Sequence, residues 1–128
     1  MSCAGEVNCD PCGKKGPVVW IIRQGALFSH RLHIVNSETG ASFNLTGYGV
    51  RAALRYNPNE KGTPVAELVG EVISPATKGW IRVKLGAQAT RNLIDQGRFD
   101  IEIYKLDDAD IVYRVLQGRY RVDPEVTD

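Results

Sequence analysis

The chain has 128 residues, 43% of them hydrophobic and 24% charged. That is enough for one globular domain with a single core, too little for two, and too apolar for a disordered chain. Sixteen Lys and Arg against fifteen Asp and Glu leave a net charge of +1, without the cationic excess that nucleic-acid binding as a main task requires. No apolar run approaches the roughly 20 residues of a membrane span. The opening, MSCAGEVNCD, has neither the basic nor the apolar region of a secretory signal, so synthesis and folding in a cytoplasm are expected.

In chain order, residues 1–16 form a cysteine-bearing arm with almost no apolar residue beyond Val7, and residues 17–128 form the body, closed by the tail DPEVTD. The arm cannot bury itself against a core, so it is either mobile or held by a partner. The body opens with Val18, Val19, Trp20, Ile21 and Ile22, a continuous apolar run that predicts a strand buried on both faces. Phe28, Leu32 and Ile34 alternate with Ser29, Arg31 and His33 up to the turn NSETG, and Phe43 and Leu45 mark a short strand. Tyr48, Val50, Ala52, Leu54 and Tyr56 make the cleanest two-residue period, with Arg51 and Arg55 opposite. After the loop NPNEKGTP, Val65 to Ile73 reads as a strand, SPATKG as a turn, and Ile81, Val83 and Leu85 as a further strand.

Residues 87–96 break the period and suit about two helical turns, with Gly97 placed as a C-cap. Phe99, Ile101 and Ile103, then Ile111, Tyr113 and Val115, flank the acidic turn DDAD and predict a hairpin. Seven to nine strands at about 8–12-residue spacing give an all-β fold class. The architecture expected is a single antiparallel immunoglobulin-like β-sandwich with one short helical turn and an extended N-terminal arm.

Catalysis needs convergent titratable groups, and none is predicted. His30 and His33 lie three residues apart on a strand and so face opposite sides, which disfavours a shared metal or a joint acid–base role. Asp107, Asp108 and Asp110 offer oxygen ligands, but the turn lacks the glycine and distal glutamate of an EF-hand loop and reads as a solvated hairpin turn. Arg51, Arg55, Arg82 and Lys84 occupy polar faces of strands, solvated or turned to a partner, with no interleaved aromatics of a nucleic-acid stripe. No catalytic residue, cofactor, nucleic-acid partner or membrane partner is expected.

The cysteines are the unusual feature. Cys3, Cys9 and Cys12 all lie in the first twelve residues and none lies in the body. Cys9 and Cys12 have the spacing of half a zinc knuckle, but a closed structural site needs four ligands, so three thiols would have to share zinc between chains. Redox catalysis wants the pair at a helix start, and Gly13, Lys14, Lys15 and Gly16 follow instead. The favoured reading is interchain linkage, because an odd number of cysteines leaves at least one without an intrachain partner. An arm of about twelve residues could reach some 40 Å at about 3.3 Å per residue. Cytosolic disulfides are rare. A virion protein resolves the conflict, since it assembles in a reducing cell and oxidises after release.

Three runs carry a resemblance: LFSHRLHIVNSETGASFNLTGYGVRAALR, GWIRVKLGAQATRNLIDQGRFDIEIYKL and VYRVLQGRYRVDPEVT. Asn44-Leu45-Thr46-Gly47-Tyr48 before an alternating strand, Gly97-x-Phe99-Asp100-Ile101-Glu102, and Gly118 ahead of the closing Val-Asp-Pro-Glu-Val-Thr are similar to features of small β-sandwich proteins of tailed-phage virions. That family includes tail collar proteins and the anchors of tail fibres. The resemblance covers about residues 24–127 and not the cysteine arm. It implies a ring or adaptor component of the virion, a homo-oligomer in contact with collar, baseplate, sheath, fibre or capsid subunits, and no catalysis. Related proteins also decorate capsids, so a capsid decoration or linking role is the alternative, and a small module with zinc shared between chains is the other.

Overall fold

The computed structural model describes residues 18–56, 64–93 and 96–124 in full, and the main chain of Val7–Asp10. The protein is all-β. Its strands are β1 (Val7–Asp10), β2 (Val19–Arg23), β3 (Phe28–Asn36), β4 (Tyr48–Arg55), β5 (Ala66–Val72), β6 (Trp80–Leu85), β7 (Gln96–Lys105) and β8 (Asp108–Asp123). They are hydrogen-bonded in the order β1-β3-β6-β5-β4-β7-β8-β2. Strand β5 joins the two halves of this order: Ala66 to Leu68 pair with β4, and Val69 to Val72 pair with β6. Gly70 sits at the change of partner, where a Cβ would come within 2.7 Å of Val50.

One core lies inside the curved sheet, drawing on β2 through β8. Leu32 and Ile34 of β3, Ile81 and Val83 of β6, and Ile101 and Ile103 of β7 enter it by strict alternation. Strand β8 reaches it with two successive residues, Val115 and Leu116, because a register shift opposite Ile101 and Glu102 inserts an extra residue. The centre of one end is Trp20, whose ring stacks on Phe99 at 3.6 Å between centroids and meets Phe28 at 4.9 Å. The strand between β2 and β7 presents Gly118 opposite Phe99, so no side chain obstructs the stack. Gly97, two positions along, likewise makes room for Tyr120.

Several expectations change. Strand β2 is buried on one face only: Trp20 and Ile22 point inward, whereas Val19 and Ile21 are 50% and 44% exposed. The strand lines the core with alternate residues only, its other face being turned to solvent. It also runs parallel to β8, so the sheet is not wholly antiparallel. The residues around Phe43 make one bridge, Val35 to Ser42, instead of a strand; Phe43 and Leu45 donate main-chain hydrogen bonds to Ile34 and Ala76. The helical segment is one turn, α1 (Ala87–Arg91), capped at Asn92, while Gly97 belongs to β7, where the Arg55 carbonyl and the Tyr120 ring fill the space a side chain would need. Buried Thr90 fastens α1 to the turn after β2, accepting from the Gly25 amide at 3.1 Å and donating to the Ala26 carbonyl at 2.8 Å. In β4 the predicted stripe holds for Val50, Ala52 and Leu54, while Tyr48 is half-buried and Tyr56 exposed.

Four residues of the arm pair antiparallel with β3, Val7 opposite Asn36 and Asp10 opposite His33. Strand pairing uses main-chain groups and needs no apolar side chain, so the composition of this segment did not foreshadow it.

Gly118→Ala should cost about 1–3 kcal/mol, because a new Cβ would strike the Val18 carbonyl oxygen and lie 2.9 Å from the Phe99 ring. Gly86→Ala, where nothing lies within 4 Å, should stay within about 0.5 kcal/mol. Urea unfolding of both variants checks the pair. Equal effects would mean that the lane across β8 is not what seats Trp20.

Candidate functional site

Of the cysteines, Cys9 stands on β1, the outermost strand, opposite Ile34. Cys3 and Cys12 lie outside the described residues, as does any pairing among the three thiols. The two histidines face opposite sides of β3, as their spacing requires. His30 turns inward, its ring 5.3 Å from that of Trp20, and its Nε2 and the Trp20 Nε1 are buried without a hydrogen-bond partner. Burial holds the His30 imidazole below its ordinary pKa. His33 turns outward, stacks on Trp80 at 4.8 Å and places Nε2 2.9 Å from the Ser42 hydroxyl. Arg31 lies over the same Trp80 ring at 4.9 Å.

The acidic turn is exposed. The turn proper is Leu106 and Asp107, one residue earlier than DDAD suggested, because β8 starts at Asp108; the Asp110 amide donates to Asp108 Oδ1 at 3.1 Å, and Leu106 is 66% exposed. Among the described residues no three His, Cys, Asp or Glu side chains are grouped so as to hold a metal ion.

The four cations singled out from sequence all find carboxylates on neighbouring strands. Arg51 meets Glu102 at 2.8 Å, Arg55 meets Asp100 at 3.9 Å, and Arg82 and Lys84 meet Glu71 at 3.3 and 4.0 Å. Glu102 also takes Arg114 at 3.5 Å. Burial pushes the Asp100 carboxyl above the usual carboxylate range, outweighing the nearby Arg114 and Arg55. Exposed pairs of this kind contribute about 0–1 kcal/mol each, so they keep the face soluble and in register more than they hold the fold together.

A different set is unpaired, and sequence reading missed it. Arg23, Arg98, Arg119 and Arg121 are all exposed on the outer face of β2, β8 and β7. None forms an ion pair among the described residues. Register places Arg98 opposite Arg119 on one side and Arg55 on the other, making a row of three guanidinium groups across three strands. Val19 and Ile21 continue the face, opposite Arg119 and Arg121. Like charges directly opposite one another disfavour the fold; Asp100 offsets this at Arg55, while Arg98 and Arg119 face each other with no ion-pair partner among the described residues. The available signal was the alternation of Arg119 and Arg121 with Tyr120 and Val122; the approach of Arg98 depends on strand pairing.

No family model matches the chain, and no curated protein matches it. Among solved structures it is similar to one described as the crystal structure of the RIG-5 IG1 homodimer, at 7% identity and a TM-score of 0.44, over 95% of this chain and 100% of that one.

His30 makes stability depend on pH. The unfolded imidazole takes up a proton below about 6.5, whereas the buried one resists it. The unfolded state then binds more protons, so stability falls as pH drops through that value, by at most about 1.4 kcal/mol per pH unit for one proton. Urea midpoints at about pH 7.5 and 5.5 should fall for the wild type and fall less for His30→Phe. Parallel losses would show that His30 titrates freely.

Proposed function

We propose that this chain is a structural component of a tailed-phage virion, made in the host cytoplasm, that packs as a homo-oligomeric ring at the collar, baseplate or tail-fibre attachment and is crosslinked to its neighbours through Cys3, Cys9 and Cys12. The observation that carries this reading is the place of Cys9 on β1, an edge strand of the sheet. An edge strand is where a neighbouring subunit meets a sheet, so thiols that flank it travel with a subunit contact. The resemblance of the body to small virion proteins supports the same reading. Three of its residues lie at the aromatic end of the core: Gly97 receives Tyr120, and Gly118 faces Phe99.

The finer architecture we read as an immunoglobulin-like β-sandwich. Two hydrogen-bonded layers, β1-β3-β6-β5 and β5-β4-β7-β8-β2, share β5 and enclose a common core, which supports that reading. The chemistry of the linkage is thiol oxidation: assembly brings two thiols together, an external oxidant such as dioxygen takes two electrons and two protons, and a disulfide forms.

Immunogold imaging and non-reducing gels of purified particles test the function. Label on the tail, with a ladder of linked species that collapses on reduction, is expected. Mass spectrometry of unreduced digests should recover at least one of Cys3, Cys9 and Cys12 joined to another polypeptide. Label on the capsid would favour a decoration protein, and zinc release with loosening by chelators would favour a shared metal site. Absence of the chain from the particles would overturn the virion reading.

A further inference from the structure

We infer that copies of this chain associate head to tail, the acidic β7–β8 turn of one copy docking on the arginine-bearing outer face of β2, β8 and β7 of the next. The inference deepens the ring reading above by naming the partner surface, and its test is kept separate from the particle assays.

The two surfaces lie at opposite ends of one hairpin. At one end Arg23, Arg98, Arg119 and Arg121 stand exposed beside the exposed apolar residues Val19 and Ile21. At the other, Asp107, Asp108 and Asp110 surround Leu106, which is also exposed. The basic face includes one carboxylate, Asp123 opposite Arg23, and the tip one amine, Lys105 opposite Asp108, but each surface keeps a net sign beside a small apolar element, and the two match in both respects. Within one chain they cannot meet. Arg98 and Lys105 are seven strand positions apart on β7, roughly 23 Å at about 3.3 Å per residue. That exceeds the Debye length of about 8 Å at physiological ionic strength, so each end is electrostatically unsatisfied by the other.

Three features favour a second copy over an unrelated acidic partner. The chain as a whole is balanced, with sixteen basic and fifteen acidic residues, as a self-complementary surface requires; a foreign acidic partner would leave the aspartate turn unused. The central cations Arg51, Arg55, Arg82 and Lys84 are already paired with carboxylates, so they do not compete with the basic end for the aspartate tip. The edge of β2 also limits the site: the Val18 carbonyl and the Gln24 amide bond to β8, so the main-chain groups of Val19 and Ile21 face away from β8 at the same end. Docking a turn on a different surface is a heterologous contact, and repeated around an axis it closes a ring or continues as a filament. Its polar character makes it reversible and salt-sensitive.

Sedimentation velocity of the full chain under reducing conditions tests this, which leaves disulfides out of the measurement. Wild type should grow in mass with concentration at about 50 mM salt and revert toward monomer at about 500 mM, where screening is strong. Asp107→Lys/Asp108→Lys should be monomeric, and so should Arg119→Glu/Arg121→Glu, each with the melting behaviour of a folded protein. Mixed in equal amounts, the aspartate tip retained by one variant and the basic face retained by the other match as in the wild type, and the two altered ends match with charges reversed; assembly should return on mixing when each alone gives none. A chain carrying all four substitutions should assemble by itself. If a variant fails to fold, Asp107→Asn and Arg119→Gln serve in its place and should each weaken assembly. Oligomers that neither salt nor any variant disturbs would overturn this contact and leave the ring reading to another surface. A wild type that stays monomeric at low salt would overturn it as well, and assembly only on adding a polyanion such as heparin would replace the second copy with a foreign anionic partner. The particle assays decide the virion reading independently of all these results.

Discussion

Trp20 reaches across β8 to stack on Phe99, and much of the architecture follows from that contact. Strand β2 is five residues long and has one strand neighbour, too little by itself to hold it in place. The large buried area of the indole and its face-to-face contact with Phe99 anchor it. Phe28 and His30 of β3 pack around the same ring, so β2 at one end of the strand order and β3, next to the other end, are drawn together over one core. The geometry depends on what is missing from β8: Gly118 leaves the crossing free, and a larger residue there would strike both the Phe99 ring and the Val18 carbonyl.

Strand β2, which depends on Trp20, leaves Val19 and Ile21 exposed. An exposed apolar edge strand invites unwanted pairing unless it is covered or charged. Here its neighbours are arginines, and Arg23 on β2 adds another. These charges both guard the edge and restrict what can dock there, which is how a sheet edge can be open to one acidic occupant without being open to every strand. The middle of the sheet behaves differently, because its cations sit opposite carboxylates and neutralise one another.

In the assembly proposed above, cysteine placement and charge placement would bear on two stages. Contacts through opposite charges form and dissolve readily, and so allow a ring to correct its register. Thiols brought together by such contacts are held at high effective concentration, and their oxidation makes the arrangement permanent. That Cys9 belongs to an edge strand on the β3 side, and the arginines to the β2 side, puts the two devices at opposite limits of the strand order.

Much of the fold was legible in the residues. The two-residue period located β3, β4, β6, β7 and β8, because alternating burial is imposed by the geometry of a strand whatever its neighbours are. The opposed directions of His30 and His33 followed from the same rule. The errors share a cause. Whether Val19 and Ile21 are covered, whether Gly97 caps a helix or yields to Tyr120, and whether residues 7–10 join β3 all depend on which chain segments become neighbours. The arginine row failed to show itself for the same reason: Arg55, Arg98 and Arg119 are far apart along the chain and adjacent only through the β4–β7–β8 register. By itself the sequence determined the strand pattern, the balanced charge and the confinement of cysteine to the arm, since these are local or additive properties. The tertiary structure alone decided which edges are open and which charges go unpaired, because both are set by long-range pairing that no local signal encodes.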